Sequence, residues 1–304
     1  MIQTMSALRK KAKSDEPMRL VVAAAAEEDV LIAVCKAAKE KLIEPVLVGN
    51  IQEMRRLASE NHLDIEDFSL ISEDDPIKAA DRAVELVATG MGDFLMKGLV
   101  DTGALMKAVL KKESGLRGDG LLSHVMIYET PFYEKLIFLT DGGMNIAPNY
   151  DEKVQIVKNA IAVCRALEFE TVKIAALAAK EKVSEKMPAT VDAKALQTYC
   201  ESGGFGKNVI LEGPLALDLA VSKEAAAVKK FDSAVSGEVD IFLVPTIEMG
   251  NGIGKTLTYL GGASSAGIIM GAKVPIVLTS RADDAEAKHT SIALGSIIAS
   301  KATF

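Results

Sequence analysis

Short apolar runs alternate with longer stretches of amphipathic spacing along almost the whole chain. β-Branched and aliphatic runs predict strands over Arg19–Ala25, Pro45–Val48, Phe68–Ile71, Asp93–Met96, Leu122–Ile127 and Lys135–Leu139. Further runs predict strands over Val172–Leu177, Asn208–Leu211, Val239–Val244 and Pro275–Thr279. Helical spacing fills intervals between them, over Asp29–Leu42, Ile77–Thr89, Thr102–Lys112, Tyr150–Leu167, Ala189–Glu201 and Asp283–Ala299. Such alternation specifies an α/β fold with mainly parallel sheet. Ligands of these sheets gather at the carboxyl ends of strands. That rule directs attention to Lys97-Gly98, Ser123-His124, Thr140-Asp141, Pro245-Thr246 and Ser280-Arg281.

Length adds a domain count. A chain of 304 residues exceeds what one core usually serves, so two α/β domains are expected. A boundary is placed near Asp141-Gly142-Gly143, with the final strand and helix returning to the first domain. The expected division is 1–143 plus 275–304, and 144–274. Aromatics are only 5% of residues and Trp is absent, so aliphatic side chains must build the core. That suits parallel sheets covered by helices. The net charge of −7 and the lack of a basic stripe speak against a nucleic-acid partner. No apolar run reaches membrane-spanning length. Cys35, Cys164 and Cys200 form no close pair, which points to a reducing, cytoplasmic setting without disulfides or a zinc site. His62 and His289 lack metal-ligand spacing.

The segment Val239–Gly262 is the most distinctive. An apolar run, Val239–Pro245, feeds a glycine-rich stretch, and Lys255-Thr256 is read as opening a helix. A strand, glycine turn and helix start would present N–H groups to an anion. It is no nucleotide P-loop: only Asn251, Gly252 and Ile253 separate Gly250 from Gly254, one residue too few. The dinucleotide fingerprint also fails, with Leu257 where its third glycine belongs. An ordinary glycine turn is the alternative.

Taken in order, several segments resemble the phosphate acetyltransferase and phosphate butyryltransferase family, closer to the butyryl branch. They are Glu44–Asn50 (EPVLVGN), Met96–Leu110 (MKGLVDTGALMKAVL), Leu121–Glu129 (LLSHVMIYE), Leu139–Lys153 (LTDGGMNIAPNYDEK), Glu212–Ser222 (EGPLALDLAVS), the glycine segment, and Pro275–Lys288 (PIVLTSRADDAEAK). The resemblance implies two three-layer domains like those of isocitrate and isopropylmalate dehydrogenases, with substrates in the cleft between them. It implies reversible transfer of a short acyl group, butyryl preferred, from acyl-CoA to inorganic phosphate. Coenzyme A is then a substrate or product, no cofactor is permanently bound, and no metal is used. It also implies a homo-oligomer, dimer or higher. Transfer of acetyl, or a non-catalytic acyl-CoA or acyl-phosphate sensor, is the alternative.

Acyl transfer from thioester to phosphate needs partners for phosphate, donors for the oxyanion and stabilisation of the leaving thiolate. The resemblance gives Ser280 and Arg281 these tasks. Arg281 holds phosphate oxygens through a planar fork, and the Ser280 hydroxyl donates to sulfur or oxyanion. A turn serine beside a surface arginine is the plainer alternative. The family's acid falls at Ala287 here, which leaves Glu286 as the first candidate base, although Asp283 and Glu286 also have capping-box spacing. Lys97, Gly98 and Thr102 sit where a strand gives way to a helix start and suit phosphate. Ser123, His124 and Asp141 complete the substrate-binding set, with a structural histidine as the alternative for His124. Lys107 reads as a helix-surface lysine or a phosphate partner. Asn251, Gly252, Gly254 and Lys255 are assigned to coenzyme A.

Overall fold

The computed structural model describes residues 1–112, 115–280 and 282–301. The chain divides into an N-terminal unit, 5–120 with 266–304, and a central unit, 1–4 with 121–265. The divide falls at Gly120/Leu121 rather than near 143. The physical reason is a hairpin. Strands β5 (Ser123–Thr130) and β6 (Tyr133–Thr140) pair antiparallel, and β6 runs parallel to β9 (Ile241–Leu243), so both belong to the central sheet.

In the N-terminal unit the strands are β1 (Met18–Ala23), β2 (Ile43–Gly49), β3 (Ser69–Ser72), β4 (Phe94–Lys97), β10 (Ser264–Met270) and β11 (Ile276–Val277). Their order is β3-β2-β1-β4-β11-β10. All neighbours are parallel except β10 and β11, which run antiparallel. Leu20, Val21, Val22 and Ala23 are successive and wholly buried, so both faces of β1 are covered. Covering helices are α1 (Met5–Lys11), α2 (Glu28–Lys39), α3 (Ile51–Glu60), α4 (Pro76–Ala88), α5 (Thr102–Leu110) and α11 (Ala285–Lys301). Pro76 at the first position of α4, with Asp75 accepting from the N–H groups of Ile77 and Lys78, fixes that helix start. Helix α11 is buried without interruption from Lys288 to Ala299, as a helix enclosed on all sides must be. Its Gly295 lets it press on Phe94, where an added Cβ would lie 2.7 Å from the ring.

The central unit orders its strands β5-β6-β9-β7-β8, with β7 at Val172–Leu177 and β8 at Val209–Leu215. Beyond the hairpin, neighbours are parallel. Its helices are α6 (Tyr150–Ala166), α7 (Pro188–Glu201), α8 (Leu217–Val221), α9 (Lys223–Val228) and α10 (Ile247–Tyr259). A complete capping box, Asn149 with Glu152, starts α6. Tyr128, Leu139, Leu177, Leu215 and Phe242 lie in one apolar cluster, against which Met249, Ile253 and Leu257 of α10 pack.

Candidate active site

In the N-terminal unit the strand order reverses at β1, and the crevice between β1 and β4 is where such sheets bind ligands. Gly98 follows β4 there. Its N–H donates to the Ala23 carbonyl at 2.9 Å, and an added Cβ would lie 2.3 Å from the Ala24 carbonyl oxygen, so only glycine lets the chain cross so close. Lys97 is buried, and its Nζ donates to the carbonyls of Gly98 (3.1 Å) and Val100 (3.3 Å). Asp101 caps α5 through the N–H groups of Gly103 and Ala104, and Thr102 is the first residue of that helix, half-buried. Lys107 is exposed on α5, the helix-surface position.

Strand β11 (Ile276–Val277) pairs with β4, and Ser280 follows three residues beyond the end of β11. Ser280 is exposed. Its N–H donates to Asp283 Oδ2 at 2.8 Å, its carbonyl accepts from Asp283 N–H at 3.1 Å, and its Oγ accepts from Ala282 N–H at 3.3 Å. Ser280 thus heads a tight turn. Arg281 lies outside the described residues. The start of α11 is capped by Asp284, whose Oδ1 accepts from Ala287 N–H at 2.8 Å. The expected Asp283–Glu286 capping box is therefore replaced: Asp283 serves Ser280, and Glu286 turns outward to two cations. Glu286 pairs with Lys36 at 2.5 Å and Arg9 at 3.0 Å. Hydrogen bonding to Lys36, with the Arg9 charge behind it, holds its carboxyl below the usual range. A carboxylate stabilised in its ionised form is a weak proton acceptor, which counts against Glu286 as a base.

The central unit brings Ser123, His124 and Asp141 together where β5 begins and β6 ends. Asp141 is 2% exposed. Its Oδ1 accepts from Gly143 N–H (2.8 Å) and Met144 N–H (2.9 Å), and its Oδ2 from His124 N–H (3.1 Å) and Asn145 Nδ2 (2.6 Å). Four donors fill the capacity of a carboxylate. Asp141 holds the loop rather than offering an oxygen to a substrate. Thr140 Oγ1 donates to the His124 carbonyl at 2.9 Å, and Asn159 Nδ2 reaches Ser123 Oγ at 2.8 Å. His124 is 8% exposed, with its Nδ1 2.5 Å from where a side chain on Gly143 would begin.

The glycine segment is not a turn. Residues Ile247–Tyr259 form one continuous helix, α10, so Asn251, Gly252, Gly254 and Lys255 are mid-helix and most of their N–H groups are committed to helical carbonyls. Gly250 and Gly254 lie one turn apart on the buried face. A Cβ on Gly250 would meet Gly142 Cα at 2.6 Å, and one on Gly254 would meet the Tyr128 hydroxyl at 2.4 Å. Close packing over the Asp141 loop and the sheet accounts for these two glycines. Gly252 faces open space, and Lys255 Nζ lies 5.7 Å from the Tyr259 ring centre.

Several residues escaped the sequence reading. Asn145 ties Asp141 to the Leu122 carbonyl just before β5, and Asn159 on α6 holds the Leu121 carbonyl and Ser123 Oγ; Asn145 lies within the Leu139–Lys153 segment where it could have been noticed. Lys288 and Glu27 meet near the Ser280 turn, with no local signal for either. Among the described residues no three His, Cys, Asp or Glu side chains gather as a metal site, and no helix is long and apolar enough to cross a membrane.

The chain matches the phosphate acetyl/butyryl transferase family over residues 3–81 and 75–296. It is 43% identical over 299 residues to the phosphate butyryltransferase of Clostridium acetobutylicum, covering 98% of this chain and 99% of that one. It is 41% identical over 282 residues to the phosphate acetyltransferase of Thermotoga maritima, covering 92% and 95%. The crystal structure of a branched-chain phosphotransacylase from Enterococcus faecalis superposes with a TM-score of 0.82 at 36% identity, over 93% of this chain and 99% of that one. The chain belongs to the phosphate acetyl/butyryl transferase family, and the two α/β units carry that family's fold.

Proposed function

We propose that this chain passes a short acyl group, butyryl by preference, from coenzyme A to inorganic phosphate. The chain is a phosphate acyltransferase. Full-length similarity to a butyryltransferase, at 43% identity with both chains almost entirely covered, carries this reading. Phosphate attacks the thioester directly. Arg281 holds its oxygens and Ser280 donates to the leaving sulfur or the oxyanion, while Lys97 adds positive charge one strand away. Thr102 at the start of α5 offers a hydroxyl to the same anion. In the central unit Ser123 and His124 are assigned to substrate binding, with Asp141 fixing their loop. Asn251 and Lys255 on the exposed side of α10 meet the polar end of coenzyme A. No cofactor is permanently bound, and the chain acts in the cytoplasm as a homo-oligomer.

The test is thiol release from butyryl-CoA with and without inorganic phosphate, with acetyl-CoA and isobutyryl-CoA alongside. Phosphate-dependent release, fastest with butyryl-CoA, is expected. Each methylene contributes only about 0.8 kcal/mol, so the preference is graded. Phosphate-independent release would make the protein a thioesterase, and binding without release would make it a sensor. The similarity to an acetyltransferase at 41% identity supports acetyl-CoA as the second substrate reading, and faster release from acetyl-CoA would establish it.

A further inference from the structure

Lys288 stands in the first turn of α11, yet it is 1% exposed. Two costs attend that place. A buried ammonium loses its hydration, at several kcal/mol, and a cation in the first turn opposes the helix dipole. The partners repay these costs poorly. Lys288 Nζ donates to the Asp283 carbonyl, while the carboxylates of Glu27 and Asp29 stand at 3.7 and 3.9 Å, beyond hydrogen-bond reach. Glu27 precedes α2 and makes no capping bond with its side chain. Such an arrangement is a poor source of stability, since apolar residues of similar size often do as well or better.

What it does is geometric. Lys288 fixes the Asp283 peptide, and the Asp283 side chain in turn holds Ser280 N–H at 2.8 Å. Glu27 and Asp29 bring the same ammonium to the carboxyl end of β1. The turn is thereby fastened across the crevice between β1 and β4. We propose that Lys288, with Glu27, is the positioning pair of the Ser280 turn and that acyl transfer depends on it. The proposal rests on the reading that this turn serves the transfer to phosphate.

The test compares the wild type with Lys288→Met/Glu27→Gln, which removes both charges, and with Lys288→Arg. Thermal midpoint, kcat and the KM for butyryl-CoA are measured for each. The double variant should melt no lower than wild type, lose ~100-fold in kcat, and keep its KM within ~3-fold, the size of effect that a misplaced reacting group produces. Lys288→Arg should recover at least ~10-fold of that loss, since it restores the charge. A double variant with kcat within ~2-fold of wild type overturns the proposal, and so does one melting more than ~5 °C lower, which would make the pair structural. Absence of phosphate-dependent release in the wild type would instead sink the functional reading.

Discussion

At the carboxyl edge of the central sheet the buried charges include a carboxylate, Asp141, and an ammonium, Lys153, paired with Asp192; at that of the N-terminal sheet they are ammonium groups, Lys97 and Lys288. Asp141 receives two hydrogen bonds on each oxygen from local amides. Its charge is fully engaged in holding a loop. The two lysines of the N-terminal edge donate to main-chain carbonyls, of Gly98 and Val100 for Lys97 and of Asp283 for Lys288. Lys288 also has the carboxylates of Glu27 and Asp29 at 3.7 and 3.9 Å. One edge therefore uses a buried carboxylate to hold a loop, and the other uses buried ammonium groups to hold main-chain carbonyls in the segments that follow β4 and β11.

The largest expected effect separates the two edges by activity. Arg281→Ala should lower kcat/KM for phosphate by about 10³-fold, the usual consequence of removing a principal transition-state donor, with no change in thermal midpoint. Steady-state rates at varied phosphate decide it, and a loss below tenfold would move the chemistry away from the N-terminal edge. Asp141→Asn should do the reverse. An amide NH₂ facing N–H donors leaves them unsatisfied, costing about 2–4 kcal/mol of stability. Denaturant unfolding should show that loss while the rate per folded molecule holds. A full-stability variant with lost activity would return Asp141 to the substrate.

Glycines on α10 sharpen the comparison further. Gly254→Ala should destabilise by about 1–3 kcal/mol, because its Cβ would sit 2.4 Å from the Tyr128 hydroxyl. Removing that hydroxyl with Tyr128→Phe should recover most of the loss in a double-mutant cycle. Gly252→Ala, with nothing within 4 Å, should instead stabilise by about 0.5–1 kcal/mol. If the same variant weakens coenzyme A binding severalfold in a titration, Gly252 has a ligand role that packing does not explain.

The smallest effect is a pH dependence of the N-terminal unit. His289 is wholly buried, and burial, ahead of the Lys36 charge, lowers its pKa from 6.5. The unfolded chain then takes up a proton more readily than the folded one. Stability should fall as pH drops below 6.5 and is retained above it. His289→Leu should flatten that part of a thermal-midpoint profile between pH 7 and 5, and an unchanged slope would assign it to other groups.

Legibility in the sequence followed how local each signal was. Val172–Leu177 was predicted as a strand and is one, residue for residue, because a β-rich run between turn signals needs no outside information. Strand β10 was missed, since Ser264-Ser265-Ala266-Gly267 reads as loop until β11 pairs with the end of it. The glycine segment misled for a related reason. Gly250 and Gly254 carry the same letters whether they turn a chain or let a helix approach closely, and only Gly142 and Tyr128 distinguish the two. Ser280 draws notice in the sequence because it follows an apolar run, while its turn with Asp283 is visible only in the structure. Asp141 draws notice in the same way at the end of an apolar run, and its saturation by four donors needed coordinates to see.

The sequence by itself determined the strand–helix alternation, the aliphatic core, the strand ends worth inspecting and the family. Tertiary structure alone decided that Glu286 is held by Lys36 and Arg9, that α10 packs on the Asp141 loop, and that Lys288 is buried beside Glu27. Hydrophobic period reports the backbone and which side of an element is covered. Meetings between residues far apart in the chain depend on the order in which strands assemble, and no local pattern contains that order.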